Sequence, residues 1–231
     1  MSLLAAIANA AAPLYPVTVP RSFLAQHWTE IVTLTLEHVW LTGAALLFAA
    51  GIGIPVGILL TRYRRLAQPV LTIANIIQTI PSLALLGFLL PLPWLGERAS
   101  RIAIVALTGY ALLPILRNTY VGILSVEPAV LDVAHALGMT SWQRLIKVEL
   151  PLAASIILAG LRTATVTAVG IATIAAAVGA GGLGEFIFRG VASVDNRLVL
   201  CGAIPAALLA LGADTLIGLL EAKLRVPGRA Q

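Results

Sequence analysis

Five stretches of this 231-residue chain are each more than twenty residues long and nearly free of charge, and no other feature narrows the fold as much. They run from about His38 to Leu60, Pro69 to Leu92, Ala99 to Leu124, Leu152 to Val178 and Leu198 to Leu220. About 20 apolar residues in a helix cross the hydrocarbon core of a bilayer. An isolated strand in lipid would leave its backbone polar groups without partners, so the runs are predicted to be helices. Composition agrees, because only 11% of residues are charged against 59% hydrophobic, whereas a soluble domain carries about 25% charged residues. The expected class is an all-α integral membrane protein with about five transmembrane helices.

Lysine and arginine placement orients these spans. Arg62, Arg64, Arg65, Arg117, Arg144, Lys147, Lys223, Arg225 and Arg229 fall on one side, and Arg21, Arg98, Arg101, Arg189 and Arg197 on the other. Nine against five makes the first side cytoplasmic by the positive-inside rule. The N-terminus is then outside, residues 222–231 form a cytoplasmic tail, and residues 1–37 an extracytoplasmic segment. That segment opens MSLLAAIANAAAPLYPV, with no Lys or Arg ahead of its apolar part, so a cleaved signal peptide is not expected. Between Ser22 and Glu37, apolar Phe23, Leu24, Trp28, Ile31, Leu34 and Leu36 alternate with Gln26, His27 and Glu30. Two readings stay open there: an amphipathic helix on the outer surface, or a longer first span.

Reactive chemistry is sparse. Cys201 is the one cysteine and lies in an apolar run, so neither a disulfide nor a thiolate metal site is expected. His27, His38 and His135 are scattered, which disfavours an intramembrane enzyme and a metal centre. The net charge of +5 sits between apolar runs, where it sets topology and does not call for nucleic acid. Gly179, Gly181 and Gly184 spell G-x-G-x-x-G within VGAGGLGEFIFRG. A dinucleotide fingerprint needs a preceding strand and an acidic residue about 20 positions on. Here a membrane span precedes, and Glu185 follows at once. Gly179, Gly181, Gly182 and Gly184 are instead expected to end the fourth span in a tight reversal, as an outer hinge. Glu185–Val191 would then form a short helix, with Phe186, Ile187 and Phe188 free for the membrane surface or a path mouth.

Between the third and fourth spans, Ser125–Pro151 is the one sizeable cytoplasmic connection. It reads as two short helices, Pro128–Leu137 and Ser141–Glu149, broken at Gly138, with Pro151 opening the next span. Val130, Leu131, Ala134 and Leu137 share one face, fitting either a partner protein or a solvated connector. DVAHALGMTSWQRLIKVELP in this loop resembles the EAA motif of permease subunits of ATP-binding-cassette importers, E-A-A-x3-G-x9-I-x-L-P. Asp132, Val133 and Ala134 take the first three places, Gly138 the glycine, Val148 the isoleucine, and Leu150 and Pro151 the end. Asp for Glu, Val for Ala and Val for Ile are mild departures. GIGIPVGILLTR (Gly51–Arg62), IIQTIPSLALLGFLLP (Ile76–Pro91), GYALLPILRNTYVGI (Gly109–Ile123) and ILAGLRTATV (Ile157–Val166) are similar to the osmoprotectant branch, which takes up glycine betaine, choline and carnitine. Methionine-importer permeases share the five-span plan, so methionine or another small amino-acid-like solute is the alternative.

The resemblance implies a type I importer permease fold in the cytoplasmic (inner) membrane of a bacterium or archaeon. It implies a coupling helix, with Asp132, Val133, Ala134, Leu137 and Gly138, that docks into an ATPase subunit. It further implies two such ATPases carrying ATP and magnesium, a second permease subunit (itself or a paralogue) and an extracytoplasmic substrate-binding protein. This chain would bind no cofactor. It has no G-x-x-x-x-G-K-[ST], and Lys147 and Lys223 are its only lysines.

Polar residues within the spans mark a candidate path. Asn75, Gln78 and Thr79 share one face of the second span, and Pro81 is expected to bend it. The fourth span carries Thr163, Thr165, Thr167, Thr173 and Arg162. Arg162 lies 11 residues beyond Pro151, roughly 16 Å at about 1.5 Å per residue. An arginine at that depth costs at least about 2.5–3.5 kcal/mol, so it must face protein or water. Asn75, Gln78, a helix carbonyl or Asp214 are its candidate partners, and both a gate residue and a structural anchor fit. Threonines also pack membrane helices together. Trp28, Trp40, Trp94 and Trp142 lie at or beyond span ends, and Trp40 and Trp94 suit an interfacial belt. The spans offer no ring cluster for a quaternary ammonium, so selectivity is expected in the separate binding protein.

Overall fold

The computed structural model describes residues 21–92, 95 and 98–224, and among these every long element is a helix. Residues 1–20, Trp94, Arg225 and Arg229 lie outside the described residues. α1 (Arg21–Arg62) is one helix of 42 residues, so Ser22–Glu37 extends the first span and is not a separate surface helix. Tertiary packing holds the extension, since Ile31 and Leu34 are buried with Leu183, Phe186 and Cys201. At about 1.5 Å per residue α1 is about 63 Å long, twice the bilayer core, and must stand clear of the hydrocarbon at one end.

The second apolar run is not one helix. α2 (Arg64–Thr79) and α3 (Ser82–Leu89) meet at 97°. Pro81 has no N–H to donate and disfavours the helical conformation in Ile80; both residues are extended, with ψ of 130° and 131°. The elbow is tied to α4 (Ala99–Leu124) twice. The Tyr110 hydroxyl donates to the Ile80 carbonyl, and Gln78 Nε2 donates to the Tyr110 carbonyl at 2.7 Å. These bonds satisfy groups that a break in lipid would otherwise leave bare.

α4 is the centre of the bundle, with Ala103, Leu107, Ala111 and Ile115 all buried. α1 approaches it so closely at Gly57 that an added Cβ would lie 2.7 Å from Thr119 Cβ, the close backbone approach that small residues allow between membrane helices. After α5 (Pro128–Ala136), helix α6 (Ser141–Arg144) runs through a π turn at Leu145–Glu149 into α7 (Leu150–Ala175). Ser141–Val178 is therefore one continuous stretch of 38 residues. The expected break at Pro151 is absent for a local reason. Leu150 N–H donates five residues back to the Leu145 carbonyl, and this wider turn accommodates a proline that has neither N–H nor room in a regular helix. α8 (Gly184–Ser193) and α9 (Asn196–Leu224) complete the chain. Leu41 and Ala45 of α1, Leu86 of α3, Leu107 of α4 and Ala168 and Ala172 of α7 share one core. In α9 only Cys201, Gly202 and Ala206 are buried, so most of that helix faces out of the protomer.

Candidate functional site

Three features carry the residues singled out from the sequence. The first is the α5–α7 segment at the Arg62 end of the bundle. Pro128 opens α5. Gly138 closes it at φ 74°, with Met139 N–H donating to the Ala134 carbonyl at 3.2 Å, the six-to-one bond of a Schellman motif. α6 opens with a capping box, in which Gln143 N–H donates to Thr140 Oγ1 and Thr140 N–H donates to Gln143 Oε1. The predicted apolar face divides: Ala134 is buried, while Leu137 is 72% exposed and Val133, one position off that face, 60% exposed. Asp132 and Pro151 are exposed and Leu150 half-buried.

Beneath this exposed helix lies Glu149, which sequence reasoning missed. Its side chain is 2% exposed and takes two guanidiniums, Arg62 Nη2 at 2.7 Å and Arg144 Nε at 2.9 Å. A lone acid between Val148 and Leu150 was the available signal, but its partner Arg62 is 87 residues away. The arrangement ties the base of α7 to the end of α1.

The second feature is a pair of grooves along the bundle whose walls mix polar and apolar side chains. One groove of about 460 Å³ lies between α2, α4 and α7, with Gln78, Tyr110, Arg117, Asn118, Thr163 and Thr167 in its walls. A second groove, about 430 Å³, lies on the other side of the same two threonines against Arg162, Asp214 and Glu221. Arg162 Nε and Nη2 donate to the two oxygens of Asp214 at 2.5 and 2.6 Å, and Nη1 lies 3.7 Å from Glu221 Oε2. Arg162 is 40% and Asp214 33% exposed, on the outer flank of α7 and α9. Of the residues expected on a path, Gln78 is in the first groove and Arg162 in the second. Asn75 and Thr79 are exposed on α2 but wall neither. Thr165 is only 6% exposed, and its hydroxyl donates to the Leu161 carbonyl at 2.8 Å. Thr163 and Thr167, at i and i+4, share the groove face, whereas Thr165 turns toward the core. Arg117, grouped with the cytoplasmic charges from sequence, walls the first groove.

The third feature is the glycine turn. Gly179, Gly181 and Gly182 have φ of 79°, 86° and 81°, the left-handed region that glycine alone enters freely. The turn is pinned: Gly182 N–H donates to Glu37 Oε2 at 3.1 Å, and a Cβ there would come within 3.1 Å of His38 Nδ1. At Gly184 a Cβ would lie 2.0 Å from the Thr173 carbonyl oxygen. His38 is itself buried, donating from Nε2 to the Val169 carbonyl at 3.2 Å. Phe186 is buried against α1 and not free for the surface, with the Arg189 guanidinium 4.7 Å from its ring centre.

Residues 53–226 match the family described as the binding-protein-dependent transport system inner membrane component. The chain belongs to this family. As such an inner membrane component it is a multi-pass membrane protein of a transport system. It is 51% identical over 186 residues to the glycine betaine/carnitine/choline transport system permease protein OpuCD of Bacillus subtilis (strain 168), covering 80% of each chain. It is 47% identical to the choline transport system permease protein OpuBD of the same organism, covering 87% of this chain and 88% of that one. Among solved structures, an inward-facing MetNI methionine ABC transporter is similar, with a TM-score of 0.70 and 27% identity over 82% of this chain and 95% of the other. The resemblance read from the motif and the span pieces therefore stands, and the methionine permease is the more distant relative.

Proposed function

We propose that this permease, paired with a second permease subunit (a copy of itself or a paralogue), carries quaternary ammonium osmoprotectants such as choline, carnitine and glycine betaine across the inner membrane. A separate extracytoplasmic protein delivers the solute, and two ATPase subunits supply the free energy with ATP and magnesium. The observation that carries the reading is the set of polar and charged side chains that α2, α4, α7 and α9 place in two adjoining grooves, with Thr163 and Thr167 common to both. Charged side chains at bilayer depth cannot face hydrocarbon cheaply, so these grooves line a watery path or meet the second subunit. The relatives' names, which specify choline, carnitine and glycine betaine, supply the substrate class.

Coupling runs through α5. Asp132, Val133 and Leu137 stand outward from Ala134, an amphipathic arrangement suited to a groove on a partner. The Arg62–Glu149–Arg144 clamp passes the partner's movement to α1 and α7. The Arg62 end is cytoplasmic and the glycine turn extracytoplasmic, as the lysine and arginine distribution favours; the turn, pinned by Glu37, moves with α1 and α7 at the outer mouth. The test is reconstitution of the permease with its ATPase, second permease subunit and binding protein in proteoliposomes. ATP-dependent uptake of radiolabelled choline, carnitine or glycine betaine is expected. Uptake of methionine in place of these would overturn the substrate assignment.

A further inference from the structure

A third groove, about 590 Å³, opens at the Arg62 end of the bundle, between the last turns of α1 and the junction of α6 with α7. α1 supplies Pro55, Ile58 and Leu59, and the junction supplies Trp142, Leu145 and Leu150. Arg62 and Ser141 are the polar residues of its lining. Leu59 and Trp142 are both exposed. Pro55 precedes Arg62 by seven residues, about 10 Å along a helix. An arginine at the end of a span reaches out to the lipid phosphates, and with Arg62 there the Pro55 end of the groove lies within the hydrocarbon. A soluble ATPase cannot follow the groove to that depth, whereas an acyl chain can. Trp142, beside Arg62, then sits at headgroup level, where tryptophan is favoured.

Charge at the mouth selects the headgroup. Arg62 gives only Nη2 to Glu149, and its Nε and Nη1 make no hydrogen bond among the described residues. Glu149 is shared with Arg144, so this cluster of two bases and one acid is net positive. Arg64 and Arg65 stand exposed on the first turn of α2 and add to the field. Among the described residues no carboxylate lines the groove. Guanidinium N–H groups make strong, charge-assisted bonds to phosphate oxygens. Phosphatidylglycerol brings a phosphate with no cation of its own, whereas phosphatidylcholine brings an ammonium that the surrounding arginines repel. We propose that this groove is a binding site for an anionic phospholipid of the leaflet at the Arg62 end. Arg62 takes the phosphate through the N–H groups that Glu149 leaves free. One acyl chain runs along Pro55, Ile58 and Leu59 against Leu145 and Leu150. The site depends on the membrane setting of this family and not on the solute carried.

The experiment reconstitutes the full assembly in phosphatidylcholine vesicles that hold a small fixed fraction of a photoactivatable lipid. That lipid is either phosphatidylglycerol or phosphatidylcholine with a diazirine in one acyl chain, and cross-links are mapped to peptides by mass spectrometry. Phosphatidylglycerol is expected to label residues 55–59 and 145–150 about fivefold more than phosphatidylcholine, the preference one arginine confers at an anionic lipid surface. Arg62→Gln should bring that preference below about twofold, while Arg64→Gln, outside the groove, leaves it above about threefold. Equal loss in both variants means diffuse attraction to the surface and overturns the site. Equal labelling of the wild type by the two lipids overturns it too. Leu59→Phe keeps every charge but fills the groove, and it decides the matter should the Arg62 variant not assemble. Labelling of residues 145–150 by phosphatidylglycerol is expected to fall by about half or more, and unchanged labelling overturns the proposal. A wild-type assembly labelled there by neither lipid has its groove covered by the ATPase or the second permease subunit, which also overturns it.

Discussion

Arg62, the last residue of α1, places Nη2 2.7 Å from Oε2 of Glu149, a carboxylate 87 residues along the chain and 2% exposed. The other oxygen takes Arg144 Nε at 2.9 Å, so a single acid joins the first span, the short α6 and the base of α7. Glu149→Gln keeps the shape but removes the charge that both guanidiniums share. A hydrogen bond to a charged group contributes about 1.5–3 kcal/mol, and solvent reaches both arginines, so a loss near the lower end, about 2 kcal/mol, is expected. Thermal unfolding of the solubilised permease measures this, and the reconstituted complex should lose transport out of proportion to ATPase binding. Unaltered coupling would remove the clamp from the mechanism.

At Gly138 the demand is conformational. With φ at 74° and nothing within 4 Å of an added Cβ, the position has room but not the right backbone for most residues. Gly138→Asn, a side chain that tolerates the left-handed region, should retain ATPase capture on co-purification. Gly138→Val, which is β-branched, should cost about 1–3 kcal/mol locally and lose it. Equal capture by both variants would show that the turn geometry is immaterial to docking.

Arg162 and Asp214 make a charge pair between α7 and α9 that opens onto a groove. Arg162→Leu strands Asp214 and Glu221 without their cation and is expected to reduce folded yield severalfold. Arg162→Leu with Asp214→Leu removes both charges of the bidentate pair, and replacing such a pair by apolar residues is often neutral. The double variant should therefore recover much of the yield, measured by size-exclusion profile, while transport stays low. Full recovery of transport as well would make the pair an anchor and nothing more.

Gly182→Val forces a branched side chain into φ 81° against His38 Nδ1. Strain of about 1–3 kcal/mol is expected, and because the turn is bound to Glu37 the variant should lose stability and transport together. Loss of transport with an unchanged melting temperature would point to a free hinge instead.

Membrane residence, the helical class and the family were legible from the sequence, because lipid forbids unpaired backbone and so turns long apolar runs into helices with few alternatives. Gly138 and the glycines at 179–182 were legible as turns, since their requirement is local. The helix that opens at Pro128 and its end at Gly138 were legible because their signals lie within one segment. Tertiary structure alone decided that Ser22–Glu37 continues the first span, held by Leu183 and Phe186, and that the second run folds at 97° around Pro81 with Tyr110 securing the elbow. It decided which threonines of α7 face the grooves, turning Thr165 inward and Thr163 and Thr167 outward. It also decided the partners of Glu149 and chose Asp214 for Arg162. Hydropathy says that a residue is in the membrane but not which way it faces, and an apolar helix bears no strong moment to set its rotation. Only packing against α4 and α9 sets that rotation, and with it which polar side chains wall each groove.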